Sequence, residues 1–465
     1  MARKQPMLRR GVLVGLGAGL AMTVGVAWAN PYETTLGNGM KVIVKEDRRA
    51  PSVVHMVWYK VGAMDETDGH SGVAHILEHM MFKGTKKLGP GEFNRQVAAV
   101  GGRDNAFTSS DYTAYFQQVP PGELGRMMGL EADRMRNLRF SDEEFFKELE
   151  VVKEERRLRT DDKPHGLVHE QLEASAFLAH PYRRPIIGWM TDLDTMRPAD
   201  AWAWYRTWYA PNNATLVVVG DVDHRRVFEQ AKQSFGGLVP SALPPRRDIG
   251  EPEQRGRREA EVRAPAELPY LALAWHVPTL RSLADARDYF ALQVLSAVLD
   301  GYEGARLNTR LVREQRLAVS AGAGYTGMAR GPSLFLLDGT PSPGHSVDEL
   351  EAALRAEVAR IRDQGVTDAE LARVKAQAMA SEVYKRDSLM GQAMEIGMLE
   401  MSGFSWRDEK RFLEGLQTVT AADVQAVAGR YFADDAMTVA RLDPLPFSAA
   451  KARPKGPAVR HGGGQ

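Results

Sequence analysis

Two histidines and an acid stand in the order His75-Ile76-Leu77-Glu78-His79 within the stretch Ser71–Phe82. The apolar residues Val73, Ile76, Leu77 and Met80 around them follow helical spacing, so the stretch is expected to form a helix. On a helix, imidazoles four residues apart project from one side, and a carboxylate three after the first joins them there. Neutral imidazoles are good ligands for divalent zinc, and a carboxylate beside the ion can accept a proton from water. Catalytic zinc usually takes three protein ligands and leaves one position open, so a third is needed. The segment Ser141–Arg157 can supply it: it opens on an N-cap, contains no helix breaker, and places Glu148 and Glu155 seven apart on one face. From spacing alone, Glu150 and Glu154 are nearly as good candidates, and most acids in so charged a helix face solvent.

H-x-x-E-H is the inverted zinc-peptidase signature. Together with Glu155, 76 residues after His79, and Glu148 before it, the pattern resembles the pitrilysin-type zinc peptidases, which include insulin-degrading enzyme and the mitochondrial processing peptidase. The resemblance implies one Zn2+ per chain, held by His75, His79 and Glu155, with Glu148 supporting the site and Glu78 activating water. It also implies that the strand containing Asn105, Ala106 and Phe107 borders the cleft and binds the substrate peptide as an added strand. The fold it implies is α+β, with two homologous halves, each a mostly antiparallel sheet packed by helices, arranged as a clamshell.

A rival pair, His165 and His169 followed by Glu170, lacks an acid between the histidines, and Pro164 puts His165 at a helix start. It is discounted as a metal site. His180–Trp189 resembles a motif of bacterial members of the family, and its residue types suggest packing and turns rather than chemistry.

The elements that must carry these residues can be read in order. Residues 1–29 combine Arg3, Lys4, Arg9 and Arg10, an apolar run and the small-residue ending Ala27-Trp28-Ala29, which reads as an export signal cut after Ala29. Arg9-Arg10 also fits a twin-arginine address loosely; either route leads to the periplasm, and an uncleaved signal would leave an inner-membrane anchor. Met40–Val44 and Ser52–Tyr59 read as strands, and Asp104–Ser109 with Tyr112–Phe116 as a hairpin. Helices are expected at about 122–137, 141–160, 166–179 and 198–208, then a strand at Asn213–Gly220. The zinc-binding domain is thus 30–237, followed by a Pro- and charge-rich linker at 238–264, a homologous domain without the zinc residues at 265–445, and a disordered tail at 446–465. Gly301-Tyr302-Glu303-Gly304 lacks the Lys of a phosphate loop and reads as a turn.

The two domains are expected to be repeats. Arg134, Arg136 and Ser141–Phe145 recur as Arg360, Arg362 and Thr367–Leu371 at an offset of 226, while Tyr209 and Ala214 recur as Tyr431 and Ala436 at an offset of 222. At the first offset Glu155 falls on Ser381, and Asp285–Arg306 holds no His, so zinc chemistry is assigned to the first half alone. The second half matches the family's substrate-holding motif at Arg306–Val319, with two departures: Arg316 replaces a usual Gly, and Val319 stands where active single-chain members carry a Tyr.

Composition limits the alternatives. Lys plus Arg and Asp plus Glu are equal at 60 each, so no strong field draws nucleic acid or an anionic membrane. There is no Cys, which excludes thiolate catalysis and disulfides and leaves His and carboxylate as metal ligands. The sequence therefore reads as a zinc metalloendopeptidase of short or unfolded peptides in the periplasm. The alternative is a partner-dependent or non-catalytic assembly subunit. The Val319 departure favours that alternative, in which a related partner chain supplies the second half-site; the expected assembly is a homodimer or a heterodimer with a related chain lacking the zinc motif.

Overall fold

The computed structural model describes residues 31–447, so the export-signal segment and nearly all of the expected tail lie outside the described residues. The first half contains β1 (Tyr32–Thr35), β2 (Lys41–Glu46), β3 (Val53–Tyr59), α1 (Val73–Met80), α2 (Glu92–Ala99), β4 (Arg103–Thr108), β5 (Thr113–Val119), α3 (Leu124–Asn137), α4 (Asp142–Arg156), α5 (Pro164–Ala176), α6 (Met190–Thr195), α7 (Pro198–Trp208), β6 (Ala214–Gly220) and α8 (His224–Phe235). The second contains β7 (Arg258–Pro265), β8 (Tyr270–Val277), α9 (Arg287–Asp300), β9 (Ala318–Tyr325), β10 (Ser333–Pro341), α10 (Val347–Gln364), α11 (Asp368–Asp387), α12 (Leu389–Met401), α13 (Glu409–Thr418), α14 (Ala421–Arg430) and β11 (Met437–Leu445).

The sheets repeat one topology. The first runs β1-β2-β6-β3-β5-β4 and the second β7-β11-β8-β10-β9, so removing β1 leaves the same strand order. Their pairing directions also match: β2 is parallel to β6 as β7 is to β11, and the remaining pairs are antiparallel. The offset of 226 holds at atomic detail. Ser141 and Glu144 cap α4 reciprocally, and Thr367 and Glu370 cap α11 in the same way. The buried pair Glu131–Arg134 recurs as Glu357–Arg360.

Residues expected at the end of the linker form a strand instead. Arg258–Pro265 alternates charged and small side chains and pairs in parallel with β11 along its whole length. An edge strand with one wet face reads as a charge-rich coil, which is why composition hid it.

Each sheet is covered on both faces, and one cover of each comes from the opposite half. On β3, Val53 and Val57 face a core built with α1, α3, α4, α7 and α8, while Val54, Met56 and Trp58 face the other way. That second face is closed by Leu389, Ala393 and Ile396 of α12. Reciprocally, Val168 and Leu172 of α5 close the outer face of the second sheet against Tyr270, Ala272 and Leu442. Each fully buried aliphatic side chain in these layers contributes roughly 1.5–3 kcal/mol.

A polar clasp joins the halves near the hairpin turns. The Arg330 guanidinium spans both oxygens of Asp65 at 2.8 and 2.9 Å, its amide N–H donates to Asp111 Oδ2 at 2.8 Å, and the Tyr182 hydroxyl donates to Asp111 Oδ1 at 2.5 Å. Among the described residues no helix is long and apolar enough to cross a membrane.

Candidate metal centre

Helix α1 begins where two glycines, Gly72 and Gly188, bring their backbones into contact. Gly72 precedes it at φ +89°, and a Cβ there would lie 2.6 Å from the Ile187 carbonyl oxygen. A glycine cannot cap with its side chain, and Glu66 substitutes: its carboxylate accepts from the Gly72 and Ala74 amides at 3.0 and 2.9 Å. The segment after His180 braces the same entry, because the Trp189 amide donates to Ser71 Oγ and Ser71 in turn donates to Asp192.

One helical turn in, α1 meets α4. Ligand atoms of His75, His79 and Glu155 all lie within 4.8 Å of one another. Glu155 Oε2 is 3.3 Å from His79 Nε2 and 3.8 Å from His75 Nε2. That oxygen is buried and makes no hydrogen bond of good geometry, although it faces two imidazole nitrogens. Two imidazoles and a carboxylate converging on a buried point fit the donor chemistry of zinc. Of the acids that spacing left open, Glu150 and Glu154 are exposed, while Glu148 and Glu155 turn inward.

Surrounding groups fix these side chains. His79 Nδ1 lies 2.9 Å from Glu148 Oε1, which sets the ring to present Nε2 inward, and Lys83 holds the other oxygen of Glu148. Arg159 pairs with Glu155 Oε1 at 2.9 Å, leaving Oε2 to the cluster. Arg159 lies in the single π-helical turn Arg157–Asp161 that follows α4. Burial opposes a charged His79, but its contacts with Glu148 and Glu155 outweigh that and raise its pKa to about 9. Burial likewise opposes an ionised Glu155, and the two histidines overcome it, holding the carboxyl down at about 2. For Glu78, burial dominates and moves the pKa upward, against a hydrogen bond from Thr108.

Strand β4 is the free edge of the first sheet and pairs only with β5 among the described residues. Its side chains alternate. Thr108 faces α1, and its hydroxyl donates to Glu78 Oε2 at 2.5 Å, with Ala106 on the same side against the α1 core. Asn105 is exposed and its Oδ1 accepts from the Ala106 amide, while Phe107 packs edge-on against Trp58 beneath α12. The structure thus brings Ala106 to the Glu78 side and turns the Asn105 and Phe107 side chains to the opposite face. Thr108, Lys83, Arg159 and Glu66 escaped the sequence reading; Thr108 was within reach, because it lies two residues after Ala106 on the expected strand and side chains two apart share a face.

The rival histidines pack rather than converge. His165 stacks on Tyr270 with ring centroids 3.9 Å apart, and His169 Nε2 lies 2.9 Å from the Tyr270 hydroxyl, so both attach α5 to the second sheet. In the second half, α9 occupies the place of α1 and carries no histidine. Arg306 is buried, with its guanidinium on Glu370 at 2.6 and 2.8 Å, whereas Val319 is half exposed on the edge strand β9.

A duplicated α+β fold with an inverted histidine motif on its first half defines a two-domain protein of the metallopeptidase class. Residues 41–189 match the model described as insulinase (peptidase family M16), and 195–378 match that of the peptidase M16 inactive domain. Zinc protease PqqE of Helicobacter pylori is 32% identical over 449 residues, covering 93% of this chain and 98% of that protein. A solved protease structure from Helicobacter pylori superposes with a TM-score of 0.85 at 31% identity, covering 89% of this chain and 99% of the other. A probable mitochondrial-processing peptidase subunit beta from Arabidopsis thaliana is 24% identical over 433 residues, covering 89% of this chain and 78% of that protein. The chain belongs to peptidase family M16.

Proposed function

We propose that the protein is a zinc-dependent endopeptidase, exported from the cytoplasm, in which His75, His79 and Glu155 hold the ion and Glu78 is the proton acceptor. The observation that carries this reading is the convergence of three ligand atoms within 4.8 Å beside the half-buried Glu78 carboxylate on the same helix. Zinc, when bound, supplies Lewis acidity and makes water a usable nucleophile near neutral pH. Glu78 accepts the proton released as water attacks the scissile carbonyl, then delivers it to the departing amine. Glu148 accepts from Nδ1 of His79 and so keeps Nε2 facing the ion.

The free edge of β4 supports a substrate bound as an added strand, which requires a peptide with unpaired backbone groups. Short or unfolded peptides meet that requirement; folded domains do not. Export rests on the pattern of residues 1–29, and the zinc protease named among the relatives supports the metal.

Glu78→Gln should retain one zinc per chain while cleavage of a quenched peptide falls by about 100- to 10,000-fold. Metal analysis and peptide turnover on the same preparation check this, and undiminished cleavage would overturn the role of Glu78.

A further inference from the structure

The Thr108 hydroxyl lies 2.5 Å from Glu78 Oε2, linking the carboxylate of α1 to the open edge strand β4. We infer that Thr108 is a positioning residue for peptide hydrolysis, fixing the Glu78 carboxylate in register with a peptide laid along β4. This rests on the zinc-endopeptidase reading above.

A glutamate carboxyl group turns easily about its last torsion, so a long side chain alone does not aim a proton acceptor. A donor on one oxygen removes that freedom and leaves Oε1 for the attacking water. The donor must itself be immobile. Threonine is stiff about χ1, and Thr108 is paired with Thr113 at the closed end of the hairpin. Thr113 is tied in turn to the Val61 carbonyl at 3.0 Å, and the Ser109 and Ser110 carbonyls accept from Ala63 and Met64 at 3.1 and 2.9 Å. Both ends of the hairpin turn are therefore fastened to the segment leading into α1.

A peptide added to β4 takes its register from the strand's own backbone. Because Thr108 belongs to that strand, the carboxylate it holds keeps a set height along the bound peptide. Positioning of this kind acts on turnover, since a displacement of about 1 Å in a reacting group can cost on the order of 100-fold. A threonine that merely satisfies a buried acid would influence folding and metal retention instead.

The test uses the full zinc-loaded chain with Thr108→Val, which keeps the shape and removes the donor, and Thr108→Ser, which keeps the donor. Thr108→Val is expected to lower kcat about 10- to 100-fold with KM changed less than about threefold and zinc content unchanged. Thr108→Ser should return kcat to within about threefold of the parent, and Thr108→Val should cost nothing further in a Glu78→Gln background. If Thr108→Val keeps kcat within about twofold, if Thr108→Ser is as slow as Thr108→Val, or if the loss lies in KM or zinc content, the inference is overturned. Absence of zinc-dependent cleavage by the parent chain would refute the endopeptidase reading itself, full activity of Glu78→Gln would overturn the role given there to Glu78, and an inactive Glu78→Gln beside an active Thr108→Val would refute only the role of Thr108.

Discussion

Without metal, the His79 ring is held between two carboxylates that stabilise its charged form, so near neutrality it carries a proton at a pKa of about 9. Zinc needs the neutral ring and must displace that proton. Because the metal-free pKa lies above pH 7.5, zinc uptake at that pH should release about one proton per ion, and affinity should climb with pH until about 9. Calorimetry in buffers of differing ionisation heat measures the released protons; uptake without release would show that the ring is neutral beforehand. The histidines and Glu78 were legible because H-x-x-E-H fixes their geometry within one helix turn. Glu155 was not legible from spacing, since Glu148, Glu150, Glu154 and Glu155 share one charged helix and only packing against α1 decides which turn inward. The odd backbone at Arg316, at φ +53°, fits the glycine that the family resemblance implies for this position, because a left-handed conformation costs an L-residue about 1–2 kcal/mol.

Among the elements, α12 shows how tightly a helix can be set by one missing side chain. A Cβ on Gly397 would lie 2.0 Å from the Trp58 ring, whose faces and edges are enclosed by Phe107 and Tyr112 as well. Alanine favours a helix over glycine by about 1 kcal/mol, yet overpacking a rigid aromatic costs about 1–3 kcal/mol. Gly397→Ala should therefore destabilise the protein by about 1–2 kcal/mol, read as a lower denaturant midpoint with unchanged slope. A rise in the midpoint would mean that α12 moves aside freely. The expected helices at 122–137 and 198–208 agree closely with α3 and α7, because each shows a sustained apolar period. The partner of α12 was invisible: its apolar residues announce a buried helix without saying which sheet it covers, and coverage by the other half's sheet is a long-range fact that periodicity does not encode.

At the scale of the molecule, the clasp at Arg330 joins the β9–β10 connection to the hairpin turn after β4 and to the approach to α1. Arg330 and Asp65 are both largely buried, so removing the guanidinium leaves the Asp65 carboxylate in a poorly solvated place with only Arg246, at 3.4 Å, as a neighbouring cation, while Asp111 keeps the residue 330 amide and the Tyr182 hydroxyl. Arg330→Ala should cost about 3 kcal/mol in unfolding free energy, and a loss below about 1 kcal/mol would show that water replaces the guanidinium without penalty. The duplication itself was legible because paired arginines and a helix cap recur at an offset of 226, and Tyr209 with Ala214 at 222. How the copies fit together was not. Since α5 shields a sheet made by the later half and α12 shields one made by the earlier half, neither copy owns a finished interior. A break in the mostly exposed stretch between Leu238 and Arg257 would leave two interlocked pieces, each still clasping the other's hydrophobic layer.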